Sequence, residues 1–413
     1  MRPRIHPSGE RRSRRMLTLV LVSVAAVLAI VWGTTLRGRP GPRPLSGGLR
    51  TLVGAGDAQG YNLLLVTLDT VRADHLGCYG DEQAVTPFLD SLCRNGVMFT
   101  DAVTSVPVTL PSHSTIMTGL YPPNHGVRDN GAYRLPEERS TLAEDLRSHG
   151  YETAAFVSCF VLDERFGLDQ GFDDYDFQVT PDGYRPRMPD FNERSASSVT
   201  DSVLRWLRER DDTGTTSPFF VWVHYFDAHL PYKSPLQAVP EFSSRPYDAE
   251  IAYVDQQFGR LLAELKRGGL LEKTVVVVVA DHGEALGEHG EPTHGMLLYR
   301  STVRVPFIVS CPSLFKAAHV ASDQVVGLVD VRPTVEDLLG IPPSEGSDGV
   351  SLVRAGTPAD RGIYVETEMP RNLAGWSPLY ALRSHERKYI LAPQAELYDL
   401  AADPAESHNL CAS

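Results

Sequence analysis

Five consecutive valines in the stretch Lys273–Ala280 (KTVVVVVA) run directly into Asp281 and His282. A run with no polar alternation cannot present one face to water, and β-branched side chains at successive positions disfavour a helix. The segment therefore reads as a strand buried on both faces, which needs neighbouring strands and covering layers. Tyr61–Leu68 (YNLLLVTL), Gly150–Ser158, Pro218–His224 and Val303–Val309 carry similar strand patterns. Helical patterns fall between them at Thr86–Asn95, Thr141–His149 and Tyr247–Arg267, the last with Ile251, Val254, Phe258, Leu261, Leu262 and Leu265 on one face. This alternation predicts an α/β fold: a parallel sheet with helices on both sides and its chemistry at the carboxyl ends of the strands. After about Gly349 the pattern shortens to IYVET, YALRS, KYILA and ELYDL, which predicts a small antiparallel C-terminal sheet. Residues 178–195, rich in Pro and Asp, read as a surface loop.

The N-terminus is of a different kind. Met16 to Leu36 is an uncharged, mostly apolar run, and at 1.5 Å per residue it reaches roughly 30 Å, the hydrocarbon thickness of a bilayer. Six arginines precede it and hold that end in the cytoplasm by the positive-inside rule, which sends the body outside. A twin-arginine pattern at Ser13–Leu17 and a cleaved export signal are the alternatives, but no A-x-A site follows the run. The expected organisation is a basic cytoplasmic tail (1–15), a single transmembrane anchor (16–36), a linker (37–58), a catalytic domain (59–345) and a C-terminal subdomain (346–413). Residues 1–44 carry nine arginines and one glutamate, a net +8, whereas the chain as a whole is −13. The remainder is therefore −21, and so acidic a body excludes nucleic acid as a partner. Five cysteines show no zinc-type spacing; Cys78 and Cys93 could pair, although isolated cysteines of this kind are usually small core residues.

Polar residues at strand ends carry the functional signal. Asp69 closes the first strand, and Asp281 and His282 close the valine strand. Singly, such an aspartate is a turn former. Together the three make an oxygen and nitrogen ligand set suited to zinc, calcium or a similar divalent ion. Thr109 opens the helix-compatible run TLPSHSTIMTG, so its hydroxyl stands at a helix N-terminus, where exposed amides favour an anion. Its plainer role is a helix cap; next to a metal it becomes a candidate nucleophile.

With these residues in view, the chain resembles the sulfatases of the alkaline phosphatase superfamily. VTLDTVRADHLGCYG, TLPSHSTIMTGLYPPNHGV, WVHYFDAHLPY, VVADHGEALGEHG, THGMLLYRSTVRVPFIV and ELYDLAADPAESHNL look like that family's ordered blocks, from about residue 61 to 410. The resemblance implies a large mixed, mostly parallel sheet flanked by helices, with a small C-terminal antiparallel sheet. It implies hydrolysis of a sulfuric or phosphoric ester, of a small molecule or a glycan. It places Asp69, Asp281 and His282 as metal ligands, Thr109 as the metal-bound nucleophile, and His125 and His229 against the ester or leaving group. His294 stands where a sulfate-binding lysine usually lies, and His113 where the signature arginine lies. Arg128 and Asn130, in HGVRDNG, could bind a polar or anionic substrate group, though the plainer reading of both is structural. His289, Glu284 and Glu288 read as bystanders of a solvated loop.

The departures share a direction. Threonine cannot yield the formylglycine aldehyde that sulfatases make from Cys or Ser, and two lysines and one carboxylate of the pattern are absent. Thr109 and His294 instead resemble the phosphoesterase branch, in which an alkoxide sits between two zinc ions. His229 and His294, with Asp227 or His224, are the candidate ligands of a second ion. An inactive glycan-binding relative and a phosphoglycerol- or phosphoethanolamine-type transferase are the competing readings.

Overall fold

The computed structural model describes residues 43–45, 49–177, 194–321, 324–354 and 361–412. The expected basic tail and membrane anchor, and the loop 178–193, lie outside the described residues. Among the described residues no helix is long and apolar enough to cross a membrane.

The large sheet holds β1 (Arg43–Pro44), β2 (Asn62–Leu68), β3 (Gly96–Val103), β4 (Glu152–Phe156), β5 (Asp174–Asp176), β6 (Phe219–Tyr225), β7 (Thr274–Ala280), β8 (Arg304–Ser310), β9 (His319–Ala321) and β10 (Val326–Gly327). Its order is β1-β9-β3-β8-β7-β2-β6-β4-β5, with β10 paired to β3. Val275–Val279 of β7 are at most 1% exposed, and each buried valine contributes about 1.5–3 kcal/mol relative to exposure. The valine run thus builds the middle of the core.

The sheet is mixed. β8, read from its apolar pattern as one more parallel strand, runs antiparallel to both β7 and β3. Burial on both faces determines composition but not direction, so the pattern alone could not show this. β3 also escaped the sequence pattern. Its apolar run is broken by Thr100 and Asp101, the ladder to β8 slips between Phe99 and Ala102, and Asp101 pairs with Arg383 at 2.6 Å.

The helices are α1 (Pro87–Leu92), α2 (Thr109–Thr118), α3 (Pro122–His125), α4 (Leu142–Ser148), α5 (Ala196–Thr213), α6 (Pro246–Arg267), α7 (Arg300–Val303), α8 (Val331–Leu339) and α9 (Met369–Ala374). Thr141 caps α4 through a capping box with Glu144. α6 buries the apolar face read from its sequence, and Gly259 lets the Phe88 ring of α1 approach where a Cβ would stand 2.5 Å from it. Asp255 of the same helix accepts hydrogen bonds from Phe88 N and Leu89 N, so one buried carboxylate ties α1 to α6. α5, which no sequence pattern above marks, buries Val199, Val203, Leu204 and Leu207.

The C-terminal sheet is antiparallel, β11 (Ile363–Thr367), β12 (Leu379–Arg383), β13 (Arg387–Leu391) and β14 (Glu396–Asp399), in that order. Its inner face packs Ile363, Val365, Ala381, Ile390 and Tyr398 against Val103, Leu298 and Val303 of the main body. All five cysteines are free thiols, Cys78 and Cys93 included.

Candidate active site

The site is a product of register. β2 lies between β7 and β6, parallel to both, with Leu68 opposite Ala280 on one side and Tyr225 on the other. The next residues along β2 and β7 are Asp69 and Asp281, so the two carboxylates emerge side by side. Asp69 N donates to Tyr225 O and Asp281 N to Leu68 O, which prolongs both ladders by one rung. Thr70 then turns the chain with φ 58°, a left-handed conformation uncommon for a β-branched residue. The turn is held from three sides: Thr70 N donates to Asp281 Oδ1 at 3.2 Å, Thr70 Oγ1 donates to Ala228 O at 2.8 Å, and Tyr247 Oη donates to Thr70 O at 2.6 Å. Strain of this kind persists only where the surroundings over-determine it.

Asp69, Asp281 and His282 are fully buried, and each offers a ligand atom within 4.8 Å of the others. His282 Nδ1 faces Gly283 O at 3.0 Å, an acceptor, so the proton sits on Nδ1 and the Nε2 lone pair is free to ligate. That lone pair lies 3.5 Å from Asp281 Oδ2 and 3.9 Å from Asp69 Oδ1. Asp281 Oδ2 is buried and makes no hydrogen bond. Burial, and then the charge of Asp69, push the Asp281 pKa far above the usual carboxylate range. Two adjacent buried carboxylates facing an imidazole lone pair fit a divalent cation by the chemistry of their donor atoms.

Thr109 is the first residue of α2, preceded by Val108 in extended conformation. Its Oγ1 stands 3.3 Å from His282 Nε2, so the hydroxyl faces the ligand set and does not cap its own helix. The cap is supplied by Asn130, whose Oδ1 accepts from Leu110 N at 2.9 Å, and Ser112 Oγ ties α2 to Asp281 O at 2.7 Å.

The remaining candidates divide. His294 and His229 gather at the mouth: the His294 ring lies 4.4 Å from that of His282 and 5.2 Å from that of His229. Burial lowers the His294 pKa, but the Glu284 hydrogen bond at 3.1 Å and the charges of Glu284, Asp69 and Asp281 outweigh it and leave the pKa raised. A cation between the aspartates would cancel their share and leave Glu284 as the anchor of that charge. His229 donates from Nδ1 to Leu230 O at 2.7 Å and stacks on Phe226; its pKa is lowered to about 3 by burial and then by His294.

Other candidates turn inward. His113 is wholly buried, donating from Nδ1 to Thr109 O at 2.8 Å while Nε2 meets Thr67 Oγ1 at 3.0 Å. It braces the first turn of α2 against β2 and cannot take the substrate-binding role expected from its place in the motif. His125 is also wholly buried, bonded to Thr115 Oγ1 at 3.1 Å and accepting from Val127 N; it braces α2 and does not meet a substrate. Arg128 is consumed by two carboxylates, Glu366 at 2.7 and 2.6 Å and Glu368 at 3.0 Å, and is not free to bind a substrate anion. Asp227 accepts from Ala196 N at 2.6 Å at the start of α5. Among the described residues, no group of three ligand atoms joins it to His229 and His294 as the expected second-ion set.

One residue departs from its sequence reading. Glu284 is fully buried and bonds His294 and Tyr232, whereas Glu288 pairs with Arg72 at 2.8 Å. The signal available for Glu284 was its position three residues after Asp281, where a carboxylate can still point back into the site. Cys159 is a buried core thiol, as its isolation in the sequence suggests, and it also lies with Asp69 and His224 in a second group of ligand atoms.

This fold and this group of candidate ligands are of the type found in the alkaline phosphatase-like superfamily, whose sulfatase-fold enzymes are metal-dependent. The chain belongs to the sulfatase family, whose sequence model matches residues 61–341. It is similar to the ulvan-active sulfatase of Formosa agariphila, 29% identical over 84% of this chain and 76% of that protein. It is also similar to the choline-sulfatase of Rhizobium meliloti, 26% identical over 84% of this chain and 82% of that one. The crystal structure of the phosphonate monoester hydrolase of Agrobacterium radiobacter superposes with a TM-score of 0.68 at 22% identity, covering 86% of this chain and 92% of that chain.

Proposed function

We propose that this chain hydrolyses a sulfuric or phosphoric ester with Thr109 Oγ1 as nucleophile and without a formylglycine. The observation that carries this reading is the hydroxyl of Thr109 at the α2 N-terminus, 3.3 Å from Nε2 of His282, the imidazole grouped with Asp69 and Asp281. A divalent cation held by Asp69, Asp281 and His282 would neutralise the anionic ester and draw charge off the Thr109 oxygen. Thr109 Oγ1 forms the new bond to sulfur or phosphorus as the leaving oxygen departs in line, and gives up its proton to water. His294, held by Glu284 and with its pKa raised, delivers a proton to that oxygen. Water then opens the threonyl ester and releases sulfate or phosphate.

The leaving group has room beside α2. A cleft of about 550 Å³ is lined by Asp129, Asn130, Tyr133, Met369, Asn372 and Leu373. Its amides, carboxylate and phenol suit hydroxyl groups, and its Met and Leu suit the apolar face of a sugar ring or a small alkyl group. Relatives named for ulvan and for choline sulfate motivate a panel holding a sulfated polysaccharide, a small sulfate ester, a phosphomonoester, a phosphodiester and a phosphonate ester. Turnover of one panel member by the full-length protein, lost in Thr109→Ala, is the expected result. A metal-loaded protein inert across the panel would replace the reading with that of a binding protein.

The same proposal includes an uncleaved anchor at residues 16–36, supported by their length, lack of charge and flanking arginines. Retention in the membrane pellet after alkaline extraction, with protease access only from outside, is the expected behaviour. Release into the soluble fraction would remove the anchor from the proposal.

A further inference from the structure

The carboxylate of Asp69 faces two imidazoles. Its Oδ1 is the oxygen nearer His282, and its Oδ2 lies 3.3 Å from Nε2 of His224. His224 belongs to β6, where it pairs with Thr67, two residues before Asp69. Cys159 follows the end of β4, the next strand in the sheet. Asp69, Cys159 and His224 each offer a ligand atom within 4.8 Å of the others, and none is more than 3% exposed.

The protons at this cluster can be assigned from its partners. Ser158 Oγ donates to His224 O at 2.7 Å, so its remaining capacity toward His224 Nδ1, 2.8 Å away, is as an acceptor. The imidazole proton therefore sits on Nδ1, and Nε2 carries a lone pair. Nε2 is buried and makes no hydrogen bond, although it points at a carboxylate oxygen. Two electron-rich atoms held face to face out of water repel each other unless a positive charge lies between them. Their spacing suits one: ligand atoms at about 2.0–2.1 Å from a tetrahedral zinc stand about 3.3 Å apart.

We propose that Asp69 bridges two cations, and that the second is a zinc-class ion held by Asp69 Oδ2, His224 Nε2 and the thiolate of Cys159. Binding releases the Cys159 thiol proton to bulk water as the metal–sulfur bond forms. A cysteine and an imidazole select a borderline-soft ion over calcium or magnesium, which take oxygen ligands. The assignment frees His229 and His294 from the second-ion role and leaves both at the mouth to meet the ester. It rests on the proposed reading that Asp69, Asp281 and His282 hold the first cation.

The test is metal content and spectroscopy on the purified full-length protein loaded with Zn²⁺ or Co²⁺. Two ions per chain are expected. X-ray absorption should show a sulfur scatterer at about 2.3 Å, and the cobalt form should show a thiolate charge-transfer band in the near ultraviolet. Cys159→Ala and His224→Ala should each bind one ion, and both should lose the charge-transfer band. Should either variant fail to fold, the wild-type stoichiometry and scattering decide alone. One ion per chain, or a shell of nitrogen and oxygen only, overturns this proposal and leaves the first-cation reading intact. No bound ion overturns both.

Discussion

Replacing Arg128 by alanine should damage the fold more than the binding of substrate. The guanidinium, 28% exposed, spans Glu366 and Glu368, which are 0% and 3% exposed. Removing one partner of a buried ion pair costs about 3–5 kcal/mol, because the stranded charge stays out of water. Here the lower end applies. Arg128 is itself partly solvated, Tyr364 Oη still donates to Glu366 at 2.6 Å, and Arg371 still pairs with Glu368. A loss of about 3 kcal/mol in a chain of this size lowers the melting temperature by roughly 4 °C. Adding Glu366→Gln should recover about half of that, since a neutral amide keeps the Tyr364 hydrogen bond and removes the stranded charge. Thermal unfolding at saturating divalent cation, alongside kcat and KM on the same ester, is the assay. An unchanged melting temperature with KM raised about tenfold would show that Arg128 holds the substrate and not the fold.

Three further outcomes follow from the same geometry. Thr109→Ala should lower kcat by about 10⁴-fold or more with metal content unchanged, and Thr109→Ser should keep measurable turnover; equal activity of all three proteins would remove Thr109 from the chemistry. Chelation should destabilise the protein, because an ion at about 100 times its Kd contributes about 2.7 kcal/mol to folding; a melting curve indifferent to chelator would speak against a bound ion. Burial raises the pKa of Asp255 from 3.8 to about 7 despite hydrogen bonds from Leu89 N and Phe88 N. Its folded state therefore holds the proton more tightly than the unfolded chain, so this contribution is fully present below pH 4 and is lost as the pH rises to 7, on the order of 4 kcal/mol. Asp255→Asn should flatten that part of the stability–pH curve, and an unaltered curve would place the titration elsewhere.

The parts of this molecule that the sequence discloses are those written in local pattern. The valine run, the face of α6 and the short C-terminal strands each fix their own environment, and each is found where the residues predict it. Strand direction is not local: nothing within Val303–Val309 distinguishes an antiparallel β8 from a parallel one. The candidate ligands Asp69, Asp281 and His282 are legible because they end buried strands, and the register of β2 with β7 brings them together. His113, His125 and Arg128 look like substrate contacts in a motif, because the motif records where they lie along the chain and not what they face. Their partners, Thr67, Thr115 and Glu366, come from separate strands and helices, and no spacing rule announces them.

The central place of β2 between β6 and β7 has a consequence for how such a chain can change. Loops beyond the strand tips are free to lengthen, shrink or acquire new side chains, and the leaving-group cleft can be rebuilt that way. One residue inserted or deleted inside β2 would instead rotate its side chains to the opposite face and carry Asp69 out of line with Asp281 and His224 at a single stroke. On the proposed function, substrate choice and cation binding are therefore separately heritable, the first in tolerant surface segments and the second in the spacing of one seven-residue strand.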